Sequence, residues 1–102
     1  MQVVVLSITD KHREYAVSVL NQLRAAGYRA EADLRNEKVG FKIREAEKAK
    51  IPYMLVVGDR EMQSGTVSVR GRTRSNLGSM SVAAVLDLLG SEAAPPAQML
   101  TH

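Results

Sequence analysis

Val3-Val4-Val5-Leu6-Ser7-Ile8 is an apolar run dominated by β-branched residues, with one small polar side chain inside it. Such a run reads as a strand buried on both faces of its sheet, the normal condition of a parallel strand covered by helices. Tyr53-Met54-Leu55-Val56-Val57 has the same character. The residues between the two runs decide how they are joined. Thr9 and Asp10 are candidate N-caps, and Ala16, Val19, Leu20, Leu23 and Ala26 follow at helical spacing until Gly27 ends the segment. Tyr28 to Asp33 alternates in side-chain character, as a strand nearer a sheet edge does. Leu34 to Lys38 is a polar turn. A second helix follows, with Val39, Ile43, Ala46 and Ala49 on one stripe and Lys42, Glu45 and Lys48 on the other, and Pro52 stops it. The order β-α-β-α-β predicts three parallel strands joined by right-handed crossovers.

Downstream, Gly58-Asp59 closes the third strand and Gln63-Ser64-Gly65 forms a short connection. Thr66 to Arg70 alternates with Val67 and Val69 inward and Ser68 and Arg70 outward. A Gly/Arg/Thr/Ser stretch leads to Leu77-Gly78-Ser79-Met80. Ser81 then caps a last helix with Val82, Val85, Leu86 and Leu89 on its apolar face, ending at Gly90. The later strands should add antiparallel, giving an α/β fold with a mixed sheet covered by helices. Residues 1–90 read as one domain. Residues 91–102, with Pro95-Pro96 and no periodicity, read as a disordered tail.

The bulk composition fits a single domain. Of the 102 residues, 45% are hydrophobic but only 4% aromatic, so the core is built from aliphatic side chains. The absence of cysteine excludes disulfides and thiolate metal sites, and it accords with a cytoplasmic protein. No segment approaches the ~20 apolar residues of a membrane helix. MQVVVLSITD lacks the charged leader and length of a signal peptide, and a strand so near the start reads as a domain cut from a longer chain.

The net charge of +3 is mild, but its placement is not even. Arg35, Lys38, Lys42, Arg44, Lys48 and Lys50 face only Glu37, Glu45 and Glu47 over the same stretch, and Arg70, Arg72 and Arg74 lie in a segment with no acid. Clustered cation of this kind points to a polyanion.

Signatures of catalysis are missing from the sequence. It has no Walker-type loop, no HExxH and no Gly-x-Ser-x-Gly elbow. His12 lies early in the first helix, where a solvent-facing position is expected, and His102 is the last residue. No catalytic residue and no metal ligand set can be assigned. The most unusual stretch is Asp33-Leu34-Arg35-Asn36-Glu37-Lys38-Val39-Gly40-Phe41-Lys42-Ile43-Arg44-Glu45. One reading is a solvated turn before an ordinary amphipathic helix. The other notes that this turn follows a parallel strand, where ligands of open α/β sheets collect, and stands at a helix N-terminus beside Arg35, Lys38 and Lys42.

DLRNEKVGFKIRE, then IPYMLVVGDRE, then TVSVRGRTRSNLGSMS resemble, in order and in register, the C-terminal anticodon-binding domain of threonyl-tRNA synthetases. The opening ITD fits as well, so the resemblance runs from about Val3 to Leu89. Related class II synthetases for proline, histidine and glycine carry the same fold. The resemblance implies a three-layer domain, β-α-β-α-β-β-β-α, whose mixed five-stranded sheet is flanked by three helices. It further implies that the domain reads the anticodon loop of tRNA(Thr) and does no chemistry itself. The parent enzyme, a homodimeric threonine–tRNA ligase, would keep ATP, Mg and a catalytic zinc in a domain outside this chain, and this chain alone would be monomeric.

Threonine anticodons carry guanine in the middle and uracil last. The positions that match the family's reading residues are Asn36, Glu61 and Arg70. A carboxylate can accept from both the imino and the amino group of guanine, whereas adenine offers a repelling acceptor at the ring position. An amide complements uracil's carbonyl and imino N–H, and a guanidinium supplies a rigid fork of donors. Arg35, Lys38, Lys42, Arg44, Arg72 and Arg74 are the expected phosphate contacts. Each reading residue also has a plain alternative: Asn36 as a turn former, Glu61 as a solvated loop acid, and Arg70 as an outward strand residue. Asn36 and Glu61 should share a sheet edge, while Arg70, well inside an antiparallel strand, joins them only through the resemblance. A stand-alone RNA-binding module and a small α/β enzyme are the competing functional classes. The enzyme would need a glycine phosphate loop or a base–nucleophile pair, and the sequence has neither.

Overall fold

The computed structural model describes residues 3–71 and 76–93. Five strands, β1 (Val3–Ser7), β2 (Ala30–Asp33), β3 (Tyr53–Val57), β4 (Thr66–Gly71) and β5 (Asn76–Ser81), form one sheet in the order β2-β1-β3-β4-β5. β1 pairs in parallel with both β2 and β3, while β4 and β5 add antiparallel. The helices are α1 (Arg13–Ala25), entered through a 3-10 turn at Asp10–His12, α2 (Val39–Lys48), α3 (Asp59–Ser64) and α4 (Val82–Ala93). The architecture is the expected mixed five-stranded, three-layer one.

The apolar runs explain the layers. Val3, Val5, Leu55, Val57, Val67 and Val69 point to one face, where they pack with Ala16, Val19 and Leu23 of α1 and with Val85 and Leu89 of α4. Val4, Leu6 and Met54 point to the other face and meet Ala46 of α2 and Ile51. β1 and β3 are therefore covered on both sides, as their composition requires. β4 is covered on one side only. Its alternation of Val67 and Val69 with Ser68 and Arg70 matches a strand whose second face lacks a helix.

The helix ends follow from local chemistry. Gly27 takes a φ of 92° just beyond α1, its N–H bonding Arg24 O while Tyr28 N–H bonds Leu23 O, the paired closure that a left-handed residue permits. Ser81 Oγ accepts from Ala84 N–H and starts α4. That helix runs to Ala93, three residues past its expected end at Gly90. Its run of Ala and Leu carries no helix breaker strong enough to stop it at a single glycine. The part of the expected disordered tail beyond Ala93 lies outside the described residues. α3 replaces the expected close of β3 at Gly58-Asp59 and part of the connection at Gln63-Ser64-Gly65; its six residues are too few to show a helical period.

Two expectations about burial in α2 fail. Ala49 was placed on the apolar stripe of α2 but is exposed, since it caps the helix rather than belonging to its face. Lys42 was placed on the polar stripe and is 1% exposed. Its Nζ donates to Ser7 O at 2.8 Å and Asp33 O at 3.1 Å, and lies 3.3 Å from Ser7 Oγ. A lysine is buried here because its amine reaches carbonyls that the strands leave unpaired at their ends. Burial pushes the Lys42 ammonium below the ordinary lysine range, with the nearby Asp33 carboxylate opposing that shift. It has no free donor geometry to offer a phosphate, and is withdrawn from the expected polyanion contacts.

Lys42→Met keeps the stem and removes the ammonium, stranding the buried Ser7 carbonyl and the partly buried Asp33 carbonyl. The variant is expected to lose about 1–3 kcal/mol of unfolding free energy in urea titration. Unchanged stability would show that the ammonium does not tie α2 to the strand ends.

Candidate functional site

In a sheet ordered β2-β1-β3, the chain leaves β1 toward one neighbour and returns past it to the other, so a crevice opens beyond the carboxyl ends of β1 and β3. The loops at this rim are Ile8–Thr9 after β1, Leu34–Lys38 after β2, and Gly58 leading into α3 after β3. Ile8 N–H bonds Val57 O, which keeps the first and third loops side by side.

Glu61 sits in this rim, in the first turn of α3. It is 8% exposed, and its Oε1 accepts from Gly58 N–H at 2.8 Å. This removes the reading of Glu61 as a solvated loop acid. Among the described residues no ion pair reaches its carboxylate, and a carboxylate offers about four acceptor sites, so most of its capacity is unspent there. Its negative charge is felt by Tyr15 of α1, whose hydroxyl is pushed up first by burial and then by Glu61. A Cβ at Gly58 would lie 2.5 Å from Ile8 Cδ1 and 3.2 Å from Glu61 Oε1, so a side chain there would displace Ile8. Ile8 is 39% exposed, an apolar surface next to the acid. Sequence reasoning passed over Ile8 because it reads as the last residue of a buried strand.

His12 is likewise not where it was expected. It is 3% exposed and bridges two of the rim loops. Its Nδ1 accepts from Thr9 N–H, which leaves the ring proton on Nε2, directed at Asp59 Oδ1 at 2.8 Å. Thr9 and Asp59 satisfy both ring nitrogens, and that is why the histidine can be buried. Lys11 Nζ approaches the same Asp59 oxygen at 3.2 Å. The hydrogen bond from His12, then that from Lys11, holds the Asp59 carboxyl below the usual carboxylate range.

On the other flank, two strands across the sheet or roughly 10 Å, lies the turn after β2. Asn36 is exposed there, and among the described residues its amide has no hydrogen-bond partner. Asp33 forms the turn in its place: Asp33 Oδ1 accepts from Arg35 N–H, and its two oxygens take Arg35 Nε at 2.9 Å and Nη2 at 2.7 Å. Arg35 is thus partly neutralised, whereas Lys38 and Arg44 stand exposed. Arg72 and Arg74 lie outside the described residues.

The structure brings Asn36 and Glu61 to one edge and leaves Arg70 behind it. Arg70 pairs in register with Met54, three residues back from the end of β3, so it lies about 10 Å from the rim along the strand. It shares the face of Met54, the one that carries α2, on the part of the sheet that no helix covers. Among the described residues, Arg70 Nε is buried without a hydrogen-bond partner. A buried guanidinium donor left unpaired is costly, and a ligand acceptor is one way to satisfy it.

The chain matches the family of the anticodon binding domain over residues 2–92. It belongs to that family. A threonine–tRNA ligase of Halorhodospira halophila is 55% identical to this anticodon-binding domain over 94 residues, covering 92% of the chain and 15% of the ligase. The chain therefore spans about a seventh of such relatives and contains none of the rest of their length. The RNA-binding domain of threonyl-tRNA synthetase from Cryptosporidium parvum superposes with a TM-score of 0.84 at 32% identity, covering 88% of this chain and 23% of that one. Histidyl-tRNA synthetase from Nostoc superposes at 0.83 over 91% of this chain and 22% of that one, with 20% identity, which shows the shared fold.

The latch between His12 and Asp59 predicts an acid limit. A carboxyl with a depressed folded pKa contributes stability above its unfolded value, about 3.9, and loses it as pH falls through the folded value. Asp33, depressed first by its hydrogen bond from Arg35, acts in the same sense. Urea unfolding between pH 7 and pH 3 should show stability falling in the wild type and falling less in Asp59→Asn. Parallel curves for the two proteins would remove Asp59 from the account.

Proposed function

We propose that this anticodon-binding domain reads the anticodon loop of threonine tRNA for a threonyl-tRNA synthetase. ATP-dependent threonylation would be carried out by a catalytic domain outside this chain, in a cytoplasmic homodimeric enzyme. The observation that carries the reading is the Glu61 carboxylate, held by Gly58 N–H beside exposed Ile8 with acceptor capacity to spare. Guanine presents two adjacent donors on its Watson–Crick edge and complements that carboxylate. Ile8 supplies an apolar surface against which an unstacked base can lie.

The uncommitted amide of Asn36, across the rim, complements the last base, uracil, through its carbonyl and imino group. Arg70 contributes from the open face of β4, where its unpaired Nε meets an acceptor of the loop. Lys38 and Arg44 face the phosphates. Sequence kinship to threonine–tRNA ligases, which is much higher than that to the histidine enzyme, supports the amino-acid assignment.

Glu61→Gln keeps the shape and replaces one acceptor by a donor. In titrations with anticodon stem-loops, wild type should prefer a middle guanine over adenine, and the variant should lose about 1–3 kcal/mol of that preference. An intact preference in the variant would refute the role of Glu61. Lys38→Ala and Arg44→Ala should instead weaken all loops alike and each lower the salt slope by about one unit. A change in base preference in either variant would contradict the phosphate assignment.

A further inference from the structure

Phe41 is the chain's single phenylalanine, and at 41% exposed it is not serving the core. It lies in the first turn of α2, and the Arg35 guanidinium lies over its ring, 5.4 Å from the centroid. Arg35 is itself fixed, because Asp33 takes both Nε and Nη2. Two bonds along one edge of a planar group define its plane as well as its position. The arrangement is thus carboxylate, guanidinium and aromatic ring, with the Arg35 side chain about half exposed to solvent.

An arginine whose donors are engaged by an aspartate is poorly placed to grip a phosphate. Held by Asp33 beside an aromatic ring, it still presents a planar π-like surface, and single-stranded RNA bases are bound by stacking on aromatic rings or guanidinium planes. We propose that the Arg35–Phe41 pair is a stacking platform for one unpaired base of the bound loop. The inference rests on the anticodon reading above. The base is the nucleotide 3′ of the one facing Asn36: the 5′ neighbour goes to Glu61 across β1, whereas Arg35 and Asp33 lie at β2, the outer edge of the sheet. Asp33 acts as a positioning residue that sets the plane and does not touch RNA.

The test uses the full chain and stem-loops with 2-aminopurine at that 3′ position, whose fluorescence is quenched on stacking. Wild type should quench the probe. Arg35→Lys, which keeps the charge and loses the plane, should weaken binding about 5- to 150-fold, and Phe41→Ala, which removes only the ring beneath the guanidinium, about 2- to 5-fold. Both variants should lose quenching, while the preference for a middle guanine and the salt slope stay as in wild type. Undiminished quenching in both variants overturns the platform. So does a fall in salt slope for Arg35→Ala with quenching retained, the outcome for a phosphate contact. Wild type that binds no stem-loop would overturn the anticodon reading itself, and the platform with it. Thermal melts of each variant within a few degrees of wild type exclude misfolding, as both side chains lie at the surface.

Discussion

The buried ammonium of Lys42 sets the geometry on which the rest of the rim depends. Parallel strands end in carbonyls that have no partner beyond the sheet, and β1 and β2 both end beneath α2. One lysine amine satisfies Ser7 O and Asp33 O together, and so fixes the end of β1, the end of β2 and the start of α2 relative to one another. A shorter cation would not reach, and an apolar side chain would leave both carbonyls dry and unpaired. The loop that carries Asn36 begins immediately after one of these carbonyls, so its position follows from where that bond forms.

The opposite half of the rim is organised by different chemistry. Gly58 admits Ile8 and the Glu61 carboxylate side by side, and its own N–H supplies the bond that holds the acid. His12 joins the loop after β1 to the start of α3 through Thr9 and Asp59. The ion pairs of this region fall on Asp59 and Asp33, which hold loops together, and among the described residues none reaches Glu61 or Asn36.

Much of the fold was legible in the sequence because burial on two faces leaves a plain mark. The aliphatic runs of β1 and β3, the alternation in β4 and the cap at Gly27 each encode one local preference. The errors share a cause. Lys42 and His12 are polar residues buried by partners 35 and 47 positions away. Periodicity sorts a lysine or histidine by its polarity and has no access to a carbonyl that a different strand leaves unpaired. Candidate reading residues were located by motif similarity; their environment came from the fold. Ile8 was missed for the converse reason, as the last residue of an apolar run assigned to the interior.

The crossovers of the sheet have a kinetic and energetic corollary. Tyr15 hydroxyl donates to Thr66 O across 51 positions, and the Lys42 and His12 bonds span comparable separations. No short segment can therefore assemble the rim by itself. Loop-closure entropy is met before these bonds form, and they are lost together when the sheet opens. Surface loops usually fray at little expense, but loops fastened by contacts this distant open only with the sheet. Their hydrogen exchange would track global unfolding, and the surface offered to a partner would be either fully formed or absent.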